Sequence, residues 1–191
     1  MSSSTSQTAG FDPTEQLDLL PKISISLAED ADRPAIYALR HQVYALELGQ
    51  HAANADEQLS DSLDAYNIYL KASVGGRIAG FVSITPPGRR YSVEKYVPRE
   101  EFAFPFDGGL YEVRLLTVVP GHRNLPTAGL LMYAALRWIE VSGGTRIVVI
   151  GRREILSLYR KAGLRPAGAL RAIGSCYLPP AFSHCRGASY G

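Results

Sequence analysis

Residues 111–129, YEVRLLTVVPGHRNLPTAG, hold the segment whose residue types and order best suit chemistry. An apolar run ends in a turn with Pro120 and Arg123 and then opens into a helix. A helix start offers backbone N–H groups and the positive end of a dipole, and Arg123 adds a fixed cation with bidentate reach, so a phosphate suits this point. On the run itself Glu112, Arg114, Leu116 and Val118 alternate onto one face of a strand. Glu112 there suits a strand-end ion pair with Arg114. Upstream, Asp61 and Asp64 are carboxylates three residues apart, able to hold an ammonium or amide, or else to cap a solvated turn. Arg40 and Tyr44 share a helical face with Glu47, so Arg40 suits either a substrate contact or a latch to Glu47 or Asp64.

Other chemistries lack their residues. The chain has no G-x-S-x-G elbow, no G-x-x-x-x-G-K-[ST] loop and no G-x-G-x-x-G. His41, His51, His122 and His184 have no metal-ligand spacing, and the set Cys176, His184 and Cys185 lacks a fourth partner, so no metal site is expected. Two cysteines cannot make a disulfide framework, which fits a reducing cytoplasm. No apolar run is long enough to span a bilayer and no secretory signal opens the chain. With 191 residues, 46% hydrophobic and 20% charged, the composition is that of one globular domain. Charge is polarised: residues 1–119 carry 10 Lys/Arg against 16 Asp/Glu, and residues 120–191 carry 10 against 2. The basic half suits an anionic partner, or simply reflects Arg as a surface cation.

The elements that must position these residues follow from pattern. Residues 1–20 read as a flexible lead-in and 21–191 as a single domain. A strand over 22–28 precedes a helix that starts near Pro34 and stops at Gly49, with Ile36, Leu39, Val43 and Leu46 as its buried stripe. Strands over 68–74 and 77–85 are joined by Gly75-Gly76, a hairpin signal. Residues 89–108 read as a short helix and a covering loop, and 110–119 as the strongest strand. A helix follows, with Leu130, Leu131, Ala134, Ala135, Trp138 and Ile139 on one face and Gly143-Gly144 after it. A strand over 145–150, a helix over 152–162 and a last strand pair within 164–178 complete a mixed α/β fold, antiparallel first and strand–helix–strand after.

L-T-V-V-P-G-H-R at 116–123 and L-Y-R-K-A-G-L at 158–164 resemble the donor-binding strand, loop and helix of the GNAT superfamily of N-acyltransferases. L-R-H-Q-V-Y-A-L-E-L-G at 39–49, D-S-L-D at 61–64 and the T-P-P turn at 85–87 resemble the branch of autoinducer synthases and N-acyl amino acid synthases. The resemblance runs from about residue 36 to 168. It implies a GNAT-like α/β fold whose mixed central sheet carries a β-α-β donor-binding unit.

It also implies an acyl donor held as a phosphopantetheine thioester, on an acyl carrier protein or coenzyme A, with no tightly bound cofactor. The donor would lie along Leu116, Thr117, Val118, Val119, Arg123, Asn124, Thr127, Ala128 and Gly129. Glu112 falls where many family members place the base for the amine, and Tyr159 where they place the acid for the leaving sulfur. Arg40, Tyr44, Asp61, Asp64 and Arg114 are candidates for the acceptor pocket of a small-molecule amine. Pro126 stands where the loop's first glycine belongs and has no N–H to donate, so a single-phosphate donor on a carrier protein suits the loop better than coenzyme A. Arg152, Arg153, Arg160, Lys161, Arg165 and Arg171 would face such an acidic carrier. Leu115 and Ser83 fall where autoinducer synthases place arginines, which sets the chain apart from homoserine lactone synthesis on S-adenosylmethionine. An aminoacyl-tRNA donor and a non-catalytic carrier-protein or acyl-ligand module are the alternatives. The oligomeric state is left open.

Overall fold

The computed structural model describes residues 22–151, 156–161, 163–166 and 173–177. The lead-in expected over 1–20, the arginines at 152, 153 and 171, and His184 and Cys185 lie outside them. Seven strands among the described residues form one sheet: β1 (Ile23–Leu27), β2 (Ile68–Val74), β3 (Arg77–Thr85), β4 (Leu110–Val118), β5 (Arg146–Ile150), β6 (Arg165–Pro166) and β7 (Ile173–Tyr177). Their order is β1-β2-β3-β4-β5-β7-β6. Only β4 and β5 pair in parallel. The parallel pair needs a crossover, and α2 (Thr127–Val141) supplies it. The mixed α/β architecture is the expected one.

Helix α1 (Arg33–Arg40) starts after a short turn, with Pro34 in its first turn. It then widens into a π-helix, His41–Glu47, and ends near Gly49 at φ 61°. The expected stripe holds for Ile36, Leu39 and Val43, which are buried, but Leu46 is 63% exposed. A π-helix turns fewer degrees per residue than an α-helix, so three residues after Val43 the chain faces water rather than the sheet. Gly75 and Gly76 both take positive φ in the β2–β3 turn, as the hairpin requires.

The sheet has two covered faces. Leu70, Ala72, Val82, Ile84, Tyr111 and Val113 pack against Leu131, Met132, Ala135 and Ile139 of α2. Tyr69 and Phe81 pack against Ile36, Leu39 and Val43. Over the central strands β4 and β5, Tyr91, Val93, Leu110 and Val148 form a smaller core closed by Phe102, Phe104 and Phe106.

The element that positions the site is β4. Its register against β3 slips between Phe81 and Ser83, where two β3 steps face three β4 steps. Leu115 sits in the slip with φ 55°, the left-handed region that a branched side chain rarely adopts. This bulge corrects the alternation expected from sequence. Leu116 and Val118 join Tyr111 and Val113 against α2, whereas Leu115 and Val119 pack with the α1 side. Glu112 and Arg114 therefore do not share a face with Leu116 and Val118, because one inserted residue reverses the parity of a strand.

Gly80 faces the bulge, and a Cβ there would lie 2.6 Å from the Thr117 carbonyl oxygen. Gly80→Ala should lower stability by about 1–3 kcal/mol, as overpacking does. Urea unfolding monitored by Trp138 fluorescence checks this, and an unchanged midpoint would show that the bulge can shift at no cost.

Candidate acyl-transfer site

β4 and β5 pair only from Leu110↔Arg146 to Val113↔Val149. Beyond the bulge β4 has no β5 partner among the described residues, so a gap opens between the two strands. The N–H of Val119 is committed to the Ala79 carbonyl at 2.9 Å. Strand alternation then turns the N–H of Val118 to the opposite edge, into the gap. The Val118 carbonyl points the same way and accepts a hydrogen bond from Arg123 Nε at 3.0 Å. Of the backbone donors expected over Thr117–Val119, the gap thus receives Val118.

Three side chains gather at the gap. Tyr159, on α3 (Leu156–Lys161), is 3% exposed, and its hydroxyl would stand 3.0 Å from a Cβ added at Gly151, just past β5. Burial first, and the neighbouring Tyr44 second, push the Tyr159 hydroxyl well above the ordinary tyrosine range, so it stays protonated at neutral pH. The Tyr44 hydroxyl reaches Thr117 Oγ1 at 3.2 Å.

The mouth of the gap is the start of α2. The first helical bond there runs from the Leu130 N–H to the Pro126 carbonyl. The N–H groups of Thr127, Ala128 and Gly129 precede it and lack intrahelical acceptors. Thr127 is fully buried and its Oγ1 has no hydrogen-bond partner. Asn124 is exposed on the same loop. Arg123 is not turned to an empty loop. Its Nη1 and Nη2 hold both oxygens of Glu47 at 2.6 and 2.7 Å, which raises its pKa further.

Arg40, Asp61, Asp64 and Arg114 come together in a second, buried cluster. Arg40 Nη1 donates to both Asp64 oxygens at 2.9 and 2.7 Å, and Nη2 to Asp61 Oδ2 at 3.1 Å. Arg114 donates to Asp61, and the Tyr69 hydroxyl to Asp64. The carboxylates also order their own turn, since Asp64 accepts the Asp61 N–H at 2.6 Å and Asp61 the Leu63 N–H at 2.9 Å. Burial works against ionising Asp61, but Arg114 and Arg40 outweigh it and hold its pKa below the usual range. Arg40 thus pairs with Asp64 and Asp61 rather than with Glu47. Tyr44 stands apart from this cluster, on Thr117.

Glu112 is fully buried, and four donors occupy its carboxylate. Oε1 accepts Ser92 Oγ at 2.6 Å and the Val93 N–H at 2.9 Å, while Oε2 accepts the Ser92 N–H at 2.8 Å and Thr85 Oγ1 at 3.3 Å. Burial raises its pKa despite these bonds and the nearby Arg114 charge. Thr85 shares its one hydroxyl hydrogen with Asn67 Oδ1, the nearer acceptor at 2.9 Å, and Asn67 Nδ2 donates to Ser83 Oγ at 3.0 Å. Ser92, Asn67 and Tyr69 were not identifiable as site residues from sequence, because they belong to strands and turns that read as ordinary structure, whereas Thr85 and Ser83 enter only through the resemblance and without a role. Among the described residues no group of His, Cys, Asp and Glu could hold a metal ion, and no helix is long and apolar enough to cross a membrane.

Asp64→Ala should cost about 3–5 kcal/mol, because it strips Arg40 of its bidentate partner inside the protein. The Asp61 contribution to stability is lost in acid. Its folded pKa lies below the unfolded value of about 3.9, so its stabilisation is complete above that pH and is lost as pH falls through the folded value. The stability difference between the wild type and Asp61→Asn should therefore be full near pH 6 and shrink in acid. Denaturant titrations from pH 7 to pH 3 check both.

No family model and no curated protein matches the chain. Solved structures do. A coenzyme A-dependent acyl-homoserine lactone synthase, BjaI, with S-adenosylmethionine and isopentyl-coenzyme A superposes with a TM-score of 0.71 at 21% identity, over 83% of this chain and 84% of that one. The acyl-homoserine lactone synthase LasI gives 0.66 at 17% identity, over 82% and 90%. A GNAT family acetyltransferase from Brucella melitensis in complex with acetyl-coenzyme A gives 0.58 at 17%, over 84% and 91%. The chain therefore has a GNAT-like fold, the fold of these acyl-homoserine lactone synthases and acetyltransferases.

Proposed function

We propose that this chain is an N-acyltransferase that moves an acyl group from a phosphopantetheine thioester to the amine of a small metabolite. The observation that carries it is the gap between β4 and β5, with Val118 on one wall, Tyr159 at the other and the α2 N-terminus at its mouth. A phosphopantetheine arm is a narrow chain with amides along it and a phosphate at one end. Gap-facing groups of Val118 suit its amides, and the N–H groups of Thr127, Ala128 and Gly129 with Arg123 suit its phosphate. The structural relatives with isopentyl-coenzyme A and acetyl-coenzyme A support a donor of this class.

In the reaction the amine nitrogen forms a bond to the thioester carbon and the carbon–sulfur bond breaks. The oxyanion that develops between these events is met by the gap-facing N–H of Val118. Tyr159, held protonated by burial, donates its proton to the departing sulfur. The amine's proton goes to Glu112, whose affinity for it is raised by burial. Because Glu112 is enclosed, the proton arrives through a hydroxyl that bonds it. Ser92, 8% exposed where Thr85 is fully buried, is the better placed. The acceptor lies over Asp61 and Arg114, with Arg40 and Asp64 setting their geometry.

The donor is an acyl carrier protein by preference. Pro126 removes one N–H from the phosphate loop, and Arg160, Lys161 and Arg165 are exposed at the end of the gap that carries Tyr159. The enzyme works in the cytoplasm, where such donors are made. Tyr159→Phe should leave the unfolding midpoint near wild type and slow single-turnover acyl loss from an acetyl-phosphopantetheine thioester, in the presence of a panel of amines, by about 100-fold. Acyl loss at the wild-type rate would remove Tyr159 from the chemistry. No acyl loss from any donor by the wild type, with tight binding, would make the chain a binding module.

A further inference from the structure

Glu47 and Arg123 are 76 residues apart, yet they form a two-pronged ion pair, and they belong to opposite sides of the site. Arg123 closes the donor loop and is tied to β4 through the Val118 carbonyl. Glu47 ends the π-helical turn that continues from α1, the helix that delivers Arg40 to the buried cluster and Tyr44 to Thr117. The carboxylate sits on the outer fork of the guanidinium, the face with which arginine takes a phosphate in the same bidentate manner. Both side chains are substantially exposed, 41% for Arg123 and 35% for Glu47, so the pair is weak enough to exchange.

We infer that Glu47 is a stand-in anion for the donor's phosphate: Arg123 is held by Glu47 while the donor site is empty and leaves it for the phosphate when the donor binds. This rests on the reading of the α2 N-terminus as the donor site. The exchange releases segment His41–Glu47 from the donor loop, so donor binding and the position of Tyr44 and Arg40 are coupled. It also prevents the phosphate loop from presenting an uncompensated cation to every anion in solution.

The test uses the full chain and two probes, acetyl-coenzyme A and acetyl-4′-phosphopantetheine, titrated calorimetrically into the wild type, Glu47→Gln, Arg123→Gln and the double variant. Glu47→Gln should bind the probes about two- to fivefold tighter, the range that an exposed ion pair can withhold. Arg123→Gln should bind weakly, and adding Glu47→Gln to it should restore nothing. Backbone amides of residues 41–51 should exchange hydrogen faster in Glu47→Gln without ligand, and faster in the wild type once a probe is bound. Equal or weaker binding by Glu47→Gln would overturn the inference, since Glu47 would then merely hold Arg123 in place. A gain that persists in the Arg123→Gln background would also overturn it, as an effect of net charge alone. Binding of neither probe by the wild type or Glu47→Gln would overturn the donor-site reading itself, and the inference with it.

Discussion

The site depends on the bulge in β4. A strand paired regularly with β5 to its end would have no edge to offer a substrate, and its N–H and C=O groups would all be used in the sheet. One extra residue at Leu115, held at φ 55°, reverses which side chains of the second half of β4 meet α2, and that half has no β5 partner among the described residues. The cost of a left-handed leucine is of order 1–2 kcal/mol, and the packing of Leu116 and Val118 against α2 and of Leu115 with the α1 side holds it in place. Gly80, opposite the slip, accepts the close approach of the Thr117 carbonyl because it has no Cβ. The gap is thus a product of backbone geometry that the rest of the fold enforces.

Around that gap the protein buries charge in two separate ways. Arg40 and Arg114 face Asp61 and Asp64, two cations against two carboxylates, with Tyr69 adding a donor. The cluster is close to neutral, so the attraction between its charges offsets the penalty of taking them out of water. Glu112 has no such partner in direct contact and relies on four hydrogen bonds and on Arg114 nearby, so burial still raises its proton affinity. The first arrangement is rigid and sets positions. The second leaves a carboxyl group whose proton affinity is raised by burial, as suits a group that accepts a proton.

The elements were legible because their signals are local. Gly75-Gly76 in a hairpin, Pro34 at a helix start and Gly143 after α2 each act within a few residues, and each stands where the sequence places it. The grouping of Arg40, Asp61, Asp64 and Arg114 was suggested by motif, and geometry shows which acid takes which base. What the sequence hid was set by tertiary forces. Leu115 is neither glycine nor asparagine, so nothing in its type announces a left-handed conformation, and the alternation rule failed at Leu116 and Val118 for that reason. The π-helix that exposes Leu46 has the residue types of an α-helix. Glu47 and Arg123 meet only because the fold brings the end of the π-helix to the donor loop. Such long-range pairs have no periodicity to betray them.

The central claim is that the opened edge of β4 and the start of α2 form one continuous donor site. Residue-resolved amide NMR during titration with acetyl-4′-phosphopantetheine tests it without knowledge of the acceptor. The account predicts that the largest shifts fall together on Val118 and on Thr127, Ala128 and Gly129, with the cluster around Asp64 little changed. Shifts confined to the surface of β1 and β2, or none in the 116–129 segment at saturation, would contradict it.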